Sequence, residues 1–269
     1  MAIIHPTAVV EENARLADDV VVGPYCTIGG GVSIGAGTVL EARVIVTGNT
    51  TIGQRNHFYP NSMIGCNPQI LGMGPGDEAG ALVMGDRNVV RENVTIHVSK
   101  HAGTATRVGS DNLLMVGSHI GHDAIIEDKI VLSNLVQIGG HVKIETGAWF
   151  SGLAASHQFV TIGRWSYIAG LAGLTHDIPP YLMVSGHYPH RVRGVNKRGM
   201  NRAGLSEEQQ ERIFDAYRFL YRHGSTLLNN AKELAAQNGL DENVRAMVDA
   251  IFRSNEHRFG RYLESLRTE

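Results

Sequence analysis

An aliphatic or phenylalanine residue recurs at every sixth position through most of the first two-thirds of the chain. The first run contains Ile4, Val10, Leu16, Val22, Ile28, Ile34, Leu40, Val46, Ile52, Phe58 and Ile64. The frame returns at Met84, Val90 and Ile96, and then continues from Val108 to Leu174 with Ser156 as its exception. A period of six is neither the period of an α-helix nor that of a simple strand. It predicts a solenoid with three flat faces, about 18 residues per coil and parallel strands about 4.8 Å apart.

Small residues accompany the aliphatic ones. The residue four places further on is nearly always small, as in Ala8, Ala14, Val20, Cys26, Val32, Thr38 and Val44. We predict that both sets line the interior of the solenoid and that Gly or Asn occupies the corners. The frame is interrupted near residues 66–83 and 99–107, so we expect loops outside the coil there.

The pattern changes to helical spacing after Leu174. Ser206 and Gln209 form a capping-box motif, followed at helical spacing by Ile213, Ala216, Tyr217 and Leu220. Two more helices are predicted over residues 227–236 and 242–252, with Thr226 and Asp241 as capping residues. We therefore divide the chain into a β-helical domain, residues 1–190, and a helical domain, residues 191–269.

Composition limits the classes of function. The 269 residues carry a formal net charge of −2, so no global positive field attracts nucleic acid. No apolar run reaches the roughly 18 residues of a membrane span, and the N-terminal residues lack a signal-peptide pattern. Cys26 and Cys66 are too few for a disulfide framework, which favours a cytoplasmic protein.

Three of the thirteen histidines are separated by about one coil. The step from His122 to His141 and the step from His141 to His157 are each close to the predicted length of a coil. None of the three occupies an inward position of its hexad. We therefore expect them to form one outward-facing row along an edge of the solenoid.

Ordered motifs around these histidines are more specific than the hexads. They are Gly85-Asp86-Arg87-Asn88, Arg91-Glu92-Asn93-Val94-Thr95-Ile96-His97, His119-Ile120-Gly121-His122-Asp123, Gly139-Gly140-His141, Ala155-Ser156-His157-Gln158-Phe159 and Gly194-Val195-Asn196. In this order they resemble the UDP-N-acetylglucosamine O-acyltransferases, a hexapeptide-repeat family, over nearly the whole chain. The resemblance implies a mainly β fold, a left-handed parallel β-helix with a C-terminal α-helical domain.

The same resemblance implies an activity. The family transfers a 3-hydroxyacyl group from acyl carrier protein to the 3-hydroxyl of UDP-N-acetylglucosamine, the first step of lipid A biosynthesis. A homotrimer is expected, with no cofactor and no metal. A neutral imidazole suits the removal of a hydroxyl proton near physiological pH.

Site residues follow from the matching positions. His122 matches the general base, Asp123 the carboxylate that orients it, and Gly140 the residue whose N–H stabilises the oxyanion. The matching substrate-binding positions are Gln69, His119, His141, His157, Gln158, Asn196 and Arg202, the last two at the nucleotide end. Gly170 matches the position that limits acyl-chain length, and glycine there predicts a long chain.

Some positions depart from the family pattern. Ile70 and Gly72 replace an acidic and a basic residue in the first loop. Lys197-Arg198 stands where an acidic residue is common, and Ala203 where a second Arg is common. The basic residues Arg191, Arg193, Lys197, Arg198 and Arg202 could bind the acidic carrier protein or phosphates. These departures leave the acceptor open, and a paralogue acting on a 3-amino sugar nucleotide is the alternative.

Two other classes use the same solenoid. A γ-class carbonic anhydrase would bind zinc through three histidines, and His97, His119, His122 and His141 could supply ligands. The three-residue separation of His119 and His122 does not fit the five-residue spacing of that family. A non-catalytic scaffold is the other class, and His122-Asp123 argues against it.

Overall fold

The computed structural model describes residues 1–74, 77–187 and 189–267. Most strands are two residues long, and three sheets contain them. Sheet 1 contains β1 (Ile3–Ile4), β4 (Val21–Val22), β7 (Val39–Leu40), β10 (His57–Phe58), β13 (Val89–Val90), β16 (Leu113–Leu114), β19 (Val131–Leu132), β22 (Trp149–Phe150), β25 (Tyr167–Ile168), β27 (Leu182–Ser185) and β28 (Arg191–Val195).

The other two sheets complete each coil. Sheet 2 contains β2 (Val9–Val10), β5 (Thr27–Ile28), β8 (Ile45–Val46), β11 (Met63–Cys66), β14 (Thr95–His97), β17 (His119–Ile120), β20 (Gln137–Ile138), β23 (Ala155–Ser156) and β26 (Gly173–Leu174). Sheet 3 contains β3 (Arg15–Leu16), β6 (Val32–Ile34), β9 (Asn49–Ile52), β12 (Ala81–Met84), β15 (Ala105–Val108), β18 (Ile125–Ile126), β21 (Lys143–Ile144) and β24 (Thr161–Ile162).

Coils stack in parallel with the predicted register. Val22 lies opposite Leu40, and Ile120 lies opposite Ile138. The sequence separation between paired residues increases where the hexads are interrupted, so Phe58 pairs with Val90 and Val90 with Leu114. The extra residues leave the coil between Cys66 and Ala81, and between His97 and Ala105.

The interior contains the predicted aliphatic and small side chains. Hexad residues are buried from Val22 onward, and Ile4 is 44% exposed because no coil lies below it. A ladder of Asn56, Asn88 and Asn112 runs through the interior, in which each side-chain oxygen accepts the N–H of a residue in the next coil. These bonds satisfy backbone donors that have no strand partner at the corner.

Corners differ from the prediction. We expected Gly or Asn, but left-handed backbone occurs at many larger residues, including Asp123 (φ +60°), His141 (φ +58°) and Phe159 (φ +65°). Hydrogen bonds between coils hold these conformations. The His141 N–H donates to the carbonyl of His122, and the Phe159 N–H to the carbonyl of Gly140.

Up to residue 267, the C-terminal region forms five helices, α1 (Lys197–Arg202), α2 (Glu207–Arg222), α3 (Leu227–Ala235), α4 (Glu242–Asn255) and α5 (Tyr262–Ser265). The capping box on α2 and the caps Thr226 and Asp241 are confirmed. Sequence patterns missed the short helices α1 and α5. Residues 191–195 form β28, which pairs antiparallel with β27, so the boundary after residue 190 precedes a strand and not a helix.

No helix among the described residues is long and apolar enough to cross a membrane.

Candidate active site

His122 and Asp123 form a hydrogen-bonded pair at the corner between sheets 2 and 3. β17 ends at Ile120, and the pair follows shortly after it. The Nδ1 atom of His122 lies 2.7 Å from Oδ2 of Asp123. Their side chains are only 12% and 11% exposed. The pair is therefore largely shielded from solvent.

Three donors surround the carboxylate of Asp123. Burial raises its pKa, but hydrogen bonds from His122, Ser99 and the Lys100 N–H outweigh this and lower the pKa to about 2. An ionised carboxylate only accepts hydrogen bonds, so Nδ1 of His122 must carry the proton. In a neutral imidazole, Nε2 is then unprotonated. It is the atom that can accept a proton from a substrate.

Gly140 lies against the free face of His122. A Cβ atom on residue 140 would be 2.6 Å from Nε2 and 2.7 Å from Cε1 of His122. No acceptor for the Gly140 N–H occurs among the described residues. The residue that packs closely on the free ring nitrogen thus also carries a free N–H, and a base and an oxyanion donor are the two groups that acyl transfer needs.

The three histidines lie along one edge, the corner between sheets 2 and 3, as we predicted, but not at one position of that corner. The pairing of Ile120 with Ile138 sets the length of one coil. At that interval Asp123, His141 and Phe159 share one corner position, and His122, Gly140 and Gln158 share another. His157 is exposed, and its Nδ1 lies 3.0 Å from the carbonyl of Gln158. Their positions differ because neither step between the histidines is a whole coil, so each one falls at another position of the same corner.

His141 extends the cluster along this corner. Its ring meets His122 edge-on at 5.1 Å and stacks on Phe159 at 4.5 Å. Burial lowers the pKa of His141, and the carboxylate of Asp123 partly opposes this. The ring is thus held in place by an aromatic contact on each side.

A second pair, His97 and His119, lies on sheet 2 beside the first. The two rings meet edge-on at 5.1 Å. Nδ1 of His97 contacts the carbonyl of Asn67, and Nδ1 of His119 contacts Oγ1 of Thr95. Burial and the neighbouring histidines lower the pKa of His119 to about 4. His119 is therefore neutral at physiological pH and suited to hydrogen bonding with an uncharged substrate group.

A cavity of about 450 Å³ opens onto His122, Asp123 and His141. Its lining combines polar groups with apolar side chains: Ile70, Lys100, His101, His122, Asp123, Ile125, His141, Gln158, Phe159, Leu263, Leu266 and Arg267. Gln69 is exposed in the same first loop, next to the lining residue Ile70. Gly72 is also exposed, and there is open space where its side chain would be.

One group in the described residues could hold a metal ion. Ligand atoms of His122, Asp123 and His141 all lie within 4.8 Å of one another. His122 offers Asp123 its Nδ1 proton, however, and this bond already explains the arrangement. The set also lacks His97 and His119, the other histidines of the carbonic anhydrase alternative.

Asn196 and Arg202 are not brought to this cavity within one chain. Asn196 is buried at the start of α1, where its side chain accepts from the Gly199 N–H and donates to the carbonyl of Trp165. The Arg202 guanidinium lies over Trp149 at 4.8 Å and Trp165 at 5.8 Å. Both therefore lie by the edge between sheets 3 and 1, a different edge from that of His122.

Gly170 lies at the third edge, between sheets 1 and 2. Its backbone is outside the left-handed region, which Leu171 occupies instead. A Cβ there would lie 3.2 Å from the Gly152 carbonyl oxygen and 3.9 Å, an ordinary contact distance, from Cβ of Ser151. The nearby Tyr167 hydroxyl accepts a hydrogen bond from Oγ of Ser151 at 2.7 Å. Backbone conformation therefore does not require glycine at this position.

Comparisons with known proteins identify the family. A family model described as "Udp N-acetylglucosamine O-acyltransferase; Domain 2" matches residues 177–260. A relative from Anaeromyxobacter sp. (strain Fw109-5), named acyl-[acyl-carrier-protein]--UDP-N-acetylglucosamine O-acyltransferase, is 40% identical over 246 residues, 91% of this chain and 95% of the relative. The chain belongs to the UDP-N-acetylglucosamine O-acyltransferase family.

Solved structures of UDP-N-acetylglucosamine acyltransferases have the same fold. The protein from Francisella novicida is 35% identical, with a TM-score of 0.89 over 96% of this chain and 93% of that chain. The one from Moraxella catarrhalis is 37% identical, with a TM-score of 0.85 over 91% and 95%. The predicted family, and the left-handed parallel β-helix with C-terminal helices, are confirmed.

Several residues that contact the predicted ones in or beside the cavity were not predicted from the sequence. Phe159 could have been found, because it lies one coil after His141. The break in the hexads predicted a loop near residues 99–107 but not where that loop would lie. It contains Ser99, Lys100 and His101. Arg267 comes from the far end of the chain, and no sequence pattern linked it to this site.

Proposed function

We propose that this protein transfers a 3-hydroxyacyl group from acyl carrier protein to the 3-hydroxyl of UDP-N-acetylglucosamine, as the first step of lipid A biosynthesis. The observation that carries the proposal is the His122–Asp123 pair, with Nε2 free and Gly140 packed against it. Family membership supplies the reaction class, because the 40% identical relative carries that activity in its name.

His122 acts as the general base in this reaction. Its Nε2 takes the proton of the sugar hydroxyl while that oxygen attacks the thioester carbonyl. Negative charge then collects on the carbonyl oxygen, where the Gly140 N–H stabilises it. The carbon–sulfur bond breaks, and the imidazolium returns its proton to the thiolate. Protons balance without a cofactor, because the thioester already activates the acyl group.

Asp123 holds the base in its working tautomer. It is ionised over the physiological range because its pKa is about 2. The carboxylate also stabilises the imidazolium that forms when His122 is protonated. His119, His141 and Gln158 lie close enough to this centre to contact the sugar or acyl group, the role that we propose for them.

A homotrimer explains the separation of the predicted site residues. Asn196 and Arg202 lie by a different edge of the prism from His122. A second copy packed along the solenoid brings its nucleotide-end residues to the first copy's cavity, and cyclic symmetry repeats this at each interface. Gly170, at the far edge of sheet 2 from His122, marks the end of the acyl groove.

The donor and the compartment follow from charge and cysteine usage. Arg191, Arg193, Lys197 and Arg198 are all at least partly exposed, which suits an acidic carrier protein. Cys26 is buried and unpaired, and Cys66 is also free. We place the protein in the reducing cytoplasm on this ground.

Mass spectrometry of the product tests the reaction. Purified protein is incubated with 3-hydroxyacyl carrier protein and a panel of UDP-sugars that includes UDP-N-acetylglucosamine and its 3-amino analogue. We expect an O-acylated UDP-N-acetylglucosamine. Acylation of the 3-amino sugar alone supports the paralogue, and stoichiometric zinc with carbon dioxide hydration supports the carbonic anhydrase.

A further inference from the structure

Residues 261–267, which we call the C-terminal arm, fold back onto the last coil of the solenoid. The Asp177 N–H donates to the Gly260 carbonyl at 2.7 Å, and the Tyr262 N–H donates to Oδ2 of Asp177 at 2.9 Å. The Arg261 guanidinium, 8% exposed, donates to the carbonyl of Thr175 at 3.0 Å. These hydrogen bonds fix the position of the C-terminal arm beside the catalytic corner, the corner between sheets 2 and 3 that carries His122 and Asp123.

The arm forms one side of the catalytic cavity. Leu263, Leu266 and Arg267 all line it. The Arg267 guanidinium carbon lies 5.9 Å from the ring centre of Phe159. Because Phe159 stacks on His141 and His141 meets His122, an unbroken series of contacts joins Arg267 to the base.

Charge in the cavity is unbalanced. Lys100 and Arg267 both line it, and neither forms an ion pair within the part of the chain that the structure describes. Asp123 is the acidic lining residue, and its oxygens already accept bonds from His122, Ser99 and the Lys100 N–H. An anionic group that enters the cavity therefore meets the side chains of Lys100 and Arg267, which no carboxylate among the described residues pairs, while the Asp123 carboxylate is already hydrogen-bonded.

The geometry points to Arg267 as a phosphate-binding residue of the substrate site, positioned by the C-terminal arm. Arginine suits phosphate because its planar guanidinium donates two parallel hydrogen bonds. The inference rests on the proposed function, whose two substrates both carry phosphate: the diphosphate of the sugar nucleotide and the phosphodiester of the carrier protein's prosthetic arm. The C-terminal arm of this chain, residues 261–267, lies beyond residues 177–260, the part that the family model matches.

Steady-state kinetics of Arg267 variants test this role. We expect Arg267→Ala to raise KM for one substrate about 10-fold or more with little change in kcat, since a phosphate contact stabilises the ground state and the transition state alike. Arg267→Lys should recover part of the loss, and Arg267→Glu should be worse than alanine. Arg245→Ala is the control, because Arg245 is an exposed cation on α4 outside the cavity lining.

Each substrate is varied separately to find the source of the phosphate. A higher KM for UDP-N-acetylglucosamine assigns Arg267 to the diphosphate. A higher KM for acyl carrier protein assigns Arg267 to the phosphodiester of the carrier protein's prosthetic group. Both KM values within twofold of wild type overturn the inference.

Binding of inorganic pyrophosphate separates this inference from the proposed reaction. Isothermal titration needs no turnover. Tighter binding to the wild type than to Arg267→Ala supports the anion site, even if no UDP-sugar is acylated. Equal binding to both proteins removes the site, whatever the activity.

Discussion

Gly140→Ala tests the placement of His122 while leaving every functional group in the chain. The added Cβ would lie 2.6 Å from Nε2 of His122, whereas ordinary contact begins at 3.4 Å. The ring must therefore shift by most of an ångström. Asp123 holds its other side at 2.7 Å, and His141 meets it edge-on, so the shift disturbs the alignment of the base.

A misplacement of about 1 Å at a reacting group costs on the order of 10²-fold in rate. We expect kcat of Gly140→Ala to fall by about this factor. Stability should change little, because the backbone of Gly140 lies outside the left-handed region and accepts alanine.

Release of free thiol from the acyl carrier protein gives the rate, and thermal unfolding gives Tm. Gly29→Ala is the matched control, because a Cβ there meets its nearest atom, Cα of Thr47, at an ordinary 3.5 Å. A Gly140→Ala enzyme with normal kcat would refute the close packing of residue 140 on the base. A large fall in its Tm would show instead that the substitution damages the fold.

Three further predictions concern Asp177, Arg202 and Gly170. Burial raises the pKa of Asp177 to about 6, so ionisation of this carboxyl group opposes folding. The free energy of unfolding should therefore fall as pH rises from about 4 to 6, by at most about 3 kcal/mol. Urea unfolding should show that the wild type loses stability relative to Asp177→Asn over this range. Arg202→Ala should raise KM for the sugar nucleotide with kcat retained, and an unchanged KM would separate Arg202 from the nucleotide. Gly170→Met should shift acyl preference toward shorter chains, by about 10²-fold if four methylenes lose burial at about 0.8 kcal/mol each; an unchanged chain-length profile would remove Gly170 as the determinant.

The solenoid was predictable because its code is local. Each hexad places one residue such as Ile120 inward, and stacking repeats the same arrangement once per coil, as at Ile138. Capping boxes are equally local, which is why the start of α2 at Glu207 could be predicted from Ser206 and Gln209.

The catalytic corner was only partly predictable. His122 and Asp123 are adjacent in sequence, so their pairing needs no long-range information. His157 lies at the predicted edge, but a small departure from the coil length moves its side chain to another position of that corner. Contacts that depend on where the chain returns, such as that between Arg267 and Phe159, carry no periodic signal in the sequence.

The most direct test of the account compares wild type and His122→Ala in the mass-spectrometric assay with 3-hydroxyacyl carrier protein and UDP-N-acetylglucosamine. We expect an acylated sugar nucleotide from the wild type and a rate lower by about 10²–10⁴-fold in the variant. Its Tm should be preserved, because His122 lies at a corner outside the solenoid core. Equal rates of product formation by the two proteins would contradict the assignment of His122 as the base.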